Sequence, residues 1–329
     1  MNLRHPRRAV LRALGAAGLA AVSGPTAAQP AFPTRPIRLV VTFPPGGSSD
    51  VIGRILAPRV EARLGQPLII ENRPGAGGNI GMDLVAKASP DGHTLGIGAA
   101  GALAVNPSLY PNMPYDVLRD LAPVTLLAGI PFVLAAANRL GVRTLADLLA
   151  LARTRAEPLT VAHGGNGTAM HLSAELFRQM AGVRMEPIPF RGSAPAMTAV
   201  VAGQTDLAVA DLTSAAGPAQ GGQVVPVAVT TAERVSSLRD TPTVAEAGLP
   251  GYESVGWFGL VAPSRTPPAI LEALNAAFTA TLREPEVRAR LETIGTVAQP
   301  TTAAEFAAFI RSETAKWAEV VRVSGTRVE

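Results

Sequence analysis

The chain has no cysteine among its 329 residues. Disulfides, thiolate metal sites, cysteine nucleophiles and an acylated cysteine anchor are thereby excluded. Histidine is scarce as well, with four in all. The three beyond the N-terminal leader, His93, His163 and His171, form no HExxH pattern and adjoin no carboxylates at metal-ligand spacing. No metal and no cofactor are expected. The stretch GGSSD at 46–50 is neither a G-x-S-x-G nucleophile elbow nor a Walker loop. A Ser48 or Ser49 triad with His163 or His171 and Asp206 or Asp211 can be drawn on paper, but no catalytic set is expected. His93, in the turn PDGHT, and Asp206, at a strand start, read as structural.

Charge of one sign is also missing once the leader is set apart. Residues 1–28 hold Arg4, Arg7, Arg8 and Arg12 and no acid, so the 29 basic residues of the chain leave 25 to face 25 acidic ones. The nominal charge of +4 belongs to that leader, and a nucleic-acid partner is not expected. RHPRR reads as a positive n-region, AVLRALGAAGLAAVSG as an apolar segment, and TAA as a cleavage site after Ala28. Residues 1–28 are therefore expected to be an export signal. Arg7-Arg8 fits a twin-arginine pattern loosely, which leaves the export route open. The apolar run is short and rich in glycine and alanine, and no other stretch could span a bilayer. The mature protein is expected to be soluble, outside the cytoplasmic membrane and without a lipid anchor. With 47% apolar and 16% charged residues, a sizeable core is expected and disorder is not.

What is present is alternation. Short apolar runs at 37–43, 68–72, 94–100, 159–164, 185–190, 205–211 and 224–230 are separated by helical patterns. Their nearly continuous apolar character suits strands covered on both faces, and the βα order predicts parallel sheets. Thr144 with Asp147 and Thr302 with Glu305 resemble capping boxes, and Thr266 before Pro267 predicts an N-cap followed by proline. Phe306, Phe309, Ile310, Trp317, Val320 and Val321 give the last helix a core-facing side. Two apolar stretches, 121–138 and 253–263, exceed an ordinary strand and are expected to pass between two lobes. The expected division is 29–130 with 255–329 as one discontinuous lobe and 131–254 as the other.

Three glycine-rich loops run from a strand into a helix: FPPGGSSD (43–50), ENRPGAGGNIG (71–81) and HGGNGTAMH (163–171). A helix start offers unpaired N–H groups and partial positive charge, glycines admit close approach, and Ser48 and Ser49 add hydroxyl donors. Each loop alone is satisfied by turn chemistry. Together they point to one small anion held at the carboxyl ends of strands.

PTRPIRLVVTFPPGGSSDVIGRILA, ENRPGAGGNIGMDLVAKASPDGHTL, NPSLYPNMPYDVLRDLAPV, HGGNGTAMHLSAELF, PFRGSAPAMTAVVAGQTDLAVAD and TPTVAEAGLPGYESVGWFGLVAP closely resemble the Bug family. These are the periplasmic solute-binding proteins of tripartite tricarboxylate transporters, and the resemblance runs from about residue 32 to the C-terminus. It implies an α/β fold of the type II periplasmic binding-protein kind: a two-lobed venus flytrap with two doubly wound sheets joined by two crossover segments. It also implies a monomer that captures a small carboxylate and delivers it to a membrane permease of one large and one small subunit. Motif by motif, it implies Gly46, Gly47, Ser48 and Ser49 as carboxylate donors, with Asp50 at the helix start and Gly77 and Gly78 lining the same lobe. Gly165, Asn166, Gly167 and Thr168 would form the opposing cradle, Arg191, Gly192, Ser193 and Ala194 another wall, and Asp211 an acid facing the ligand. Two positions depart from the family pattern: His163 stands where serine is commoner, and Phe190 replaces a frequent tyrosine. His163 either faces the solute, so that binding strengthens as pH falls, or turns away and caps a strand end. A sensory protein feeding a two-component system is the alternative function, and a hydrolase using Ser48 and His171 a remote one.

Overall fold

The computed structural model describes residues 32–324; the expected export signal, residues 1–28, lies outside the described residues. The chain begins with β1 (Ile37–Val41), α1 (Ser48–Leu64), β2 (Leu68–Asn72), α2 (Asn79–Ala86) and β3 (Thr94–Ala99). Two single-turn helices, α3 (Asn106–Leu109) and α4 (Val117–Asp120), lead into the long strand β4 (Leu121–Ala137). Next come α5 (Leu145–Thr154), β5 (Leu159–His163), α6 (Ala169–Ala181), β6 (Met185–Pro189), α7 (Ser193–Val201), β7 (Leu207–Asp211), α8 (Leu212–Gln220) and β8 (Val224–Val229). The chain closes with β9 (Val255–Pro263), α9 (Pro268–Arg283), α10 (Pro285–Thr293), β10 (Val297–Ala298) and α11 (Ala303–Ser324).

One sheet has β1 parallel to β2 and β3, with β9 antiparallel beside β3 and residues 121–131 of β4 antiparallel beside β9. The other has β5 parallel to β6 and β7, with residues 132–137 of β4 antiparallel to both β7 and β8. Each sheet with its helices forms one lobe, and β4 belongs to both. The expectation of parallel sheets therefore holds within each βαβ unit and fails at β4 and β9. β4 runs through both sheets and β9 lies between β3 and β4 in the first, each antiparallel to the strands it pairs with.

Local chemistry explains the helix starts. Thr144 Oγ accepts from the Asp147 N–H while the Asp147 carboxylate accepts from the Thr144 N–H, a reciprocal capping box. Thr302 and Glu305 repeat it. Thr266, expected to cap α9, instead donates its hydroxyl to the Pro263 carbonyl, and Pro267 takes the N-cap position. The last helix packs as its pattern predicts, with Phe306, Ile310, Trp317 and Val321 buried. Glu313 on that helix accepts the indole N–H of both Trp257 and Trp317, each at 2.9 Å, and so pins α11 to β9. Asp206 braces the second sheet, accepting from the Thr160 N–H at 3.0 Å and pairing with Arg139 at 2.9 Å.

Candidate binding site

Four helices, α1, α6, α7 and α8, begin at one cavity of about 530 Å³ between the lobes. The strand-to-helix order of the sequence places them so, because each follows a strand that ends there. Their first N–H groups and dipole ends make the region attractive to an anion. Ser48 and Ser49 open α1 and are buried, at 4% and 1% exposure. Gly47, not a serine, holds the N-cap position and offers no side chain, so both hydroxyls are released from capping. Ser49 Oγ finds no hydrogen-bond partner among the described residues, although it is enclosed. A buried orphan hydroxyl costs about 1–3 kcal/mol, and a ligand acceptor would relieve that cost.

Across the cleft, Asp211 caps α8 by accepting from the Ser214 N–H at 2.8 Å. Its second oxygen accepts from Ser48 Oγ at 2.5 Å, a buried hydrogen bond that ties one lobe to the other. Hydroxyl-to-carboxylate bonds of this length are the strong, charge-assisted kind. Ser193 Oγ accepts from the Asp211 N–H at 2.9 Å, which fixes the start of α7 against the same acid. Thr168 caps α6, accepting from the His171 N–H and donating to the Gly165 carbonyl at 2.7 Å.

Apart from Arg191, Thr198 and Gln204, the rest of the lining is apolar. Phe132 and Ile130 of β4, Trp257 and Phe258 of β9, and Phe43 and Met170 surround the polar end. Sequence reasoning missed this wall. Its residues sit in apolar strands and read as ordinary core, and the only available signal was that the two longest apolar runs cross the cleft.

Of the expected site residues, Gly47, Ser48, Ser49, Thr168, Arg191, Gly192, Ser193, Ala194 and Asp211 line this cavity. Gly77, Gly78, Gly165 and Asn166 line a second, adjoining cavity of about 610 Å³, which shares Phe43, Phe190 and Arg191 with the first. Arg191 is exposed, and its guanidinium has no hydrogen-bond or ion-pair partner among the described residues.

Several residues serve elsewhere. Asp50 accepts from Arg54 Nε at 2.9 Å, from Asn72 at 3.1 Å and from the Gly46 N–H at 3.0 Å. Burial opposes its charge, but the Arg54, Gly46 and Asn72 hydrogen bonds outweigh that and hold its pKa below the usual value. Asp50 and Gly46 thus brace the first loop instead of touching the cavity. Gly167 lines neither cavity; the space beside its Cα is filled by Asn106 and Tyr110 from the other lobe.

Of the two alternatives for His163, the geometry favours the one in which it turns away from the cleft. It is fully buried and lines neither cavity. Its ring stacks on His171 with centroids 4.5 Å apart and planes at 16°. Its Nδ1 lies 3.2 Å from the Gly165 carbonyl, and His171 Nδ1 accepts from the Gly167 N–H at 3.3 Å. The two imidazoles therefore hold the HGGNGT loop from behind. Burial, and then the neighbouring His171, pushes the His163 pKa down to about 3, and burial lowers that of His171. Ser48 donates to Asp211 and neither histidine bonds to a serine hydroxyl, so the drawn triad does not assemble.

Residues 52–326 match the tripartite tricarboxylate transporter family receptor. Protein BugT of Bordetella pertussis (strain Tohama I) is 35% identical over 311 residues, which is 94% of this chain and 95% of that protein. Among solved structures, R. palustris Rpa4515 with adipate superposes with a TM-score of 0.87 at 36% identity, over 90% of this chain and 99% of the other. MatC (Rpa3494) from Rhodopseudomonas palustris with bound malate gives 0.83 at 34% identity, over 88% of this chain and 100% of the other.

Proposed function

The chain belongs to the family of tripartite tricarboxylate transporter receptors, the Bug proteins among them, and from this we propose that it captures a carboxylate between its lobes and hands it to a membrane permease. The permease would have one large and one small subunit, and the receptor would act as a monomer in the periplasm. Residues 131–254 form one lobe in this reading, and 29–130 with 255–329 the other. One observation carries the proposal: Ser49 Oγ is buried and unpartnered where four helix starts converge. That is a donor set built for an acceptor anion and held by neutral groups. Adipate and malate in the two related structures are of the same chemical kind.

Binding proceeds without turnover. Asp211 is engaged with Ser48 and Ser214, and the histidines are engaged with loop backbone. Among the described residues no histidine stands beside a serine hydroxyl as a base for acyl transfer, and the one acid that does, Asp211, is also committed to capping α8. Closure would bring the donors of both lobes onto the ligand and exclude water, strengthening each hydrogen bond. Calorimetry against a panel of mono-, di- and tricarboxylates tests this. Saturable binding of an acid that is recovered unchanged is the expected result. Steady chemical conversion of that acid by the pure protein, or silence across the panel, contradicts it.

A further inference from the structure

Resting on the receptor reading above, we propose that the solute is a monoanionic acid with a bulky, ring-bearing apolar body, an arenecarboxylate, in place of a short hydroxylated diacid or a tricarboxylate.

The charge count carries the first half. Among the described residues lining the two cavities, Arg191 is the one cation and Asp211 the one anion. One carboxylate is well served by the helix starts, the unpartnered Ser49 hydroxyl and the free guanidinium. A second or third carboxylate would lose its water with no further cation to meet it, and would face Asp211. Asp211 cannot move aside cheaply, because its two oxygens are held by Ser48 and the Ser214 N–H and its own N–H by Ser193.

The wall carries the second half. Trp257 presents only carbon to a ligand, because its indole N–H is bound to Glu313. Its ring is fixed from behind by Phe306 at 5.9 Å and Phe309 at 5.1 Å, both edge-on. Phe43 meets Phe258 edge-to-face at 6.5 Å and 69°. Phe132 lies over Gly256, where a Cβ would run into the ring, so the backbone itself is cut away to seat this side chain. The Phe132, Trp257 and Phe258 rings are buried, Phe43 is half-buried, and all are already placed, so an aromatic guest gains edge and face contacts beyond simple area burial. A cavity of about 530 Å³ falls in the range that encloses ring-bearing ligands. A four-carbon hydroxydiacid would leave most of this wall against trapped water.

The test is calorimetric titration of the whole mature protein with benzoate, trans-cinnamate, adipate, malate and citrate. Benzoate or cinnamate should bind at least about tenfold more tightly than malate, and citrate should give no measurable heat. Phe132→Ala should weaken the arenecarboxylate about tenfold, because the guest would then rest against an emptied corner of the wall. Gly256→Ala should also weaken it, by pushing the Phe132 ring into the cavity. If both variants fail to fold, the ranking by the unmodified protein decides alone. Equal or tighter binding of malate, adipate or citrate overturns the proposal and leaves the receptor reading intact. Silence from all five acids overturns the proposal, while the receptor reading falls only if the wider carboxylate panel is silent too.

Discussion

The two cavities of the cleft share Phe43, Phe190 and Arg191 and are otherwise built from opposite materials. The first is made of side chains: serines at a helix start and rings locked by their own neighbours. The second is largely made of backbone, from the glycine-rich stretches 74–78 and 164–166. Gly75, Gly77, Gly78 and Gly165 there have φ of +132°, +62°, +98° and +117°, which L side chains rarely adopt. A Cβ on Gly77 would stand 2.7 Å from the Asn166 carbonyl of the other lobe. Tyr110 donates its hydroxyl to that same carbonyl at 3.2 Å. These glycines let two backbones approach across the cleft. In the proposed reading, two jobs that the sequence motifs present as one are separate: the serine loop, the aromatic wall and Thr168 would meet the ligand, and the glycines of the other two loops would let the lobes close.

Gly77→Val breaks this division most severely. A branched side chain at positive φ, meeting a backbone carbonyl, should cost closure about 3 kcal/mol, on the order of a hundredfold in affinity. Small-angle scattering should show the variant failing to contract with ligand, although every group that touches the ligand is still in place. Wild-type affinity and contraction would return the glycine loop to the ligand cradle.

Ser48→Ala should have a smaller effect on binding. It removes the 2.5 Å hydrogen bond to Asp211 and leaves a buried carboxylate short of a donor. A loss of about 2 kcal/mol, roughly thirtyfold in affinity, is expected, together with a larger scattering radius before ligand is added. An unchanged radius would deny the interlobe tie.

For His163 the expected effect on ligand binding is none, and the effect falls on stability. Its folded pKa of about 3 lies below the ordinary 6.5, so the folded state favours the neutral ring. The stability this confers is complete above pH 6.5 and is lost as pH falls toward 3, at about 1.4 kcal/mol per pH unit. Unfolding temperature should decline from pH 6.5 to pH 4.5, and less steeply in His163→Gln. Ligand ranking should be the same in both proteins at pH 8 and pH 6. A ranking that changes with pH only in the unmodified protein would put the imidazole back in the site.

Much of the architecture was legible because burial on both faces leaves a plain mark: all seven short apolar runs became strands, and the two overlong ones became β4 and β9. The direction of those two strands was not legible, since apolar continuity is the same for parallel and antiparallel pairing. The hydroxyls of Ser48 and Ser49 and the acid Asp211 could be picked out by chemistry and resemblance. Asp50 could not be told from them, because only the fold shows Arg54 and Asn72 consuming its carboxylate. His163 misled for a similar reason: a histidine in a glycine-rich loop looks catalytic or ligand-facing until its partner His171 appears one helical turn behind the loop. The aromatic wall was hidden because Phe132, Trp257 and Phe258 carry the pattern of core residues, and most of their surroundings are core.

The central claim is that the carboxylate enters the side-chain cavity and not the glycine-lined one. A crystal structure with the tightest-binding acid of the calorimetric panel tests it directly. The account predicts a carboxylate oxygen within hydrogen-bond reach of Ser49 Oγ at the start of α1, with the body of the acid against Phe132 and Trp257. A carboxylate held by the backbone of Gly75 to Gly78, with the aromatic wall untouched, would contradict it.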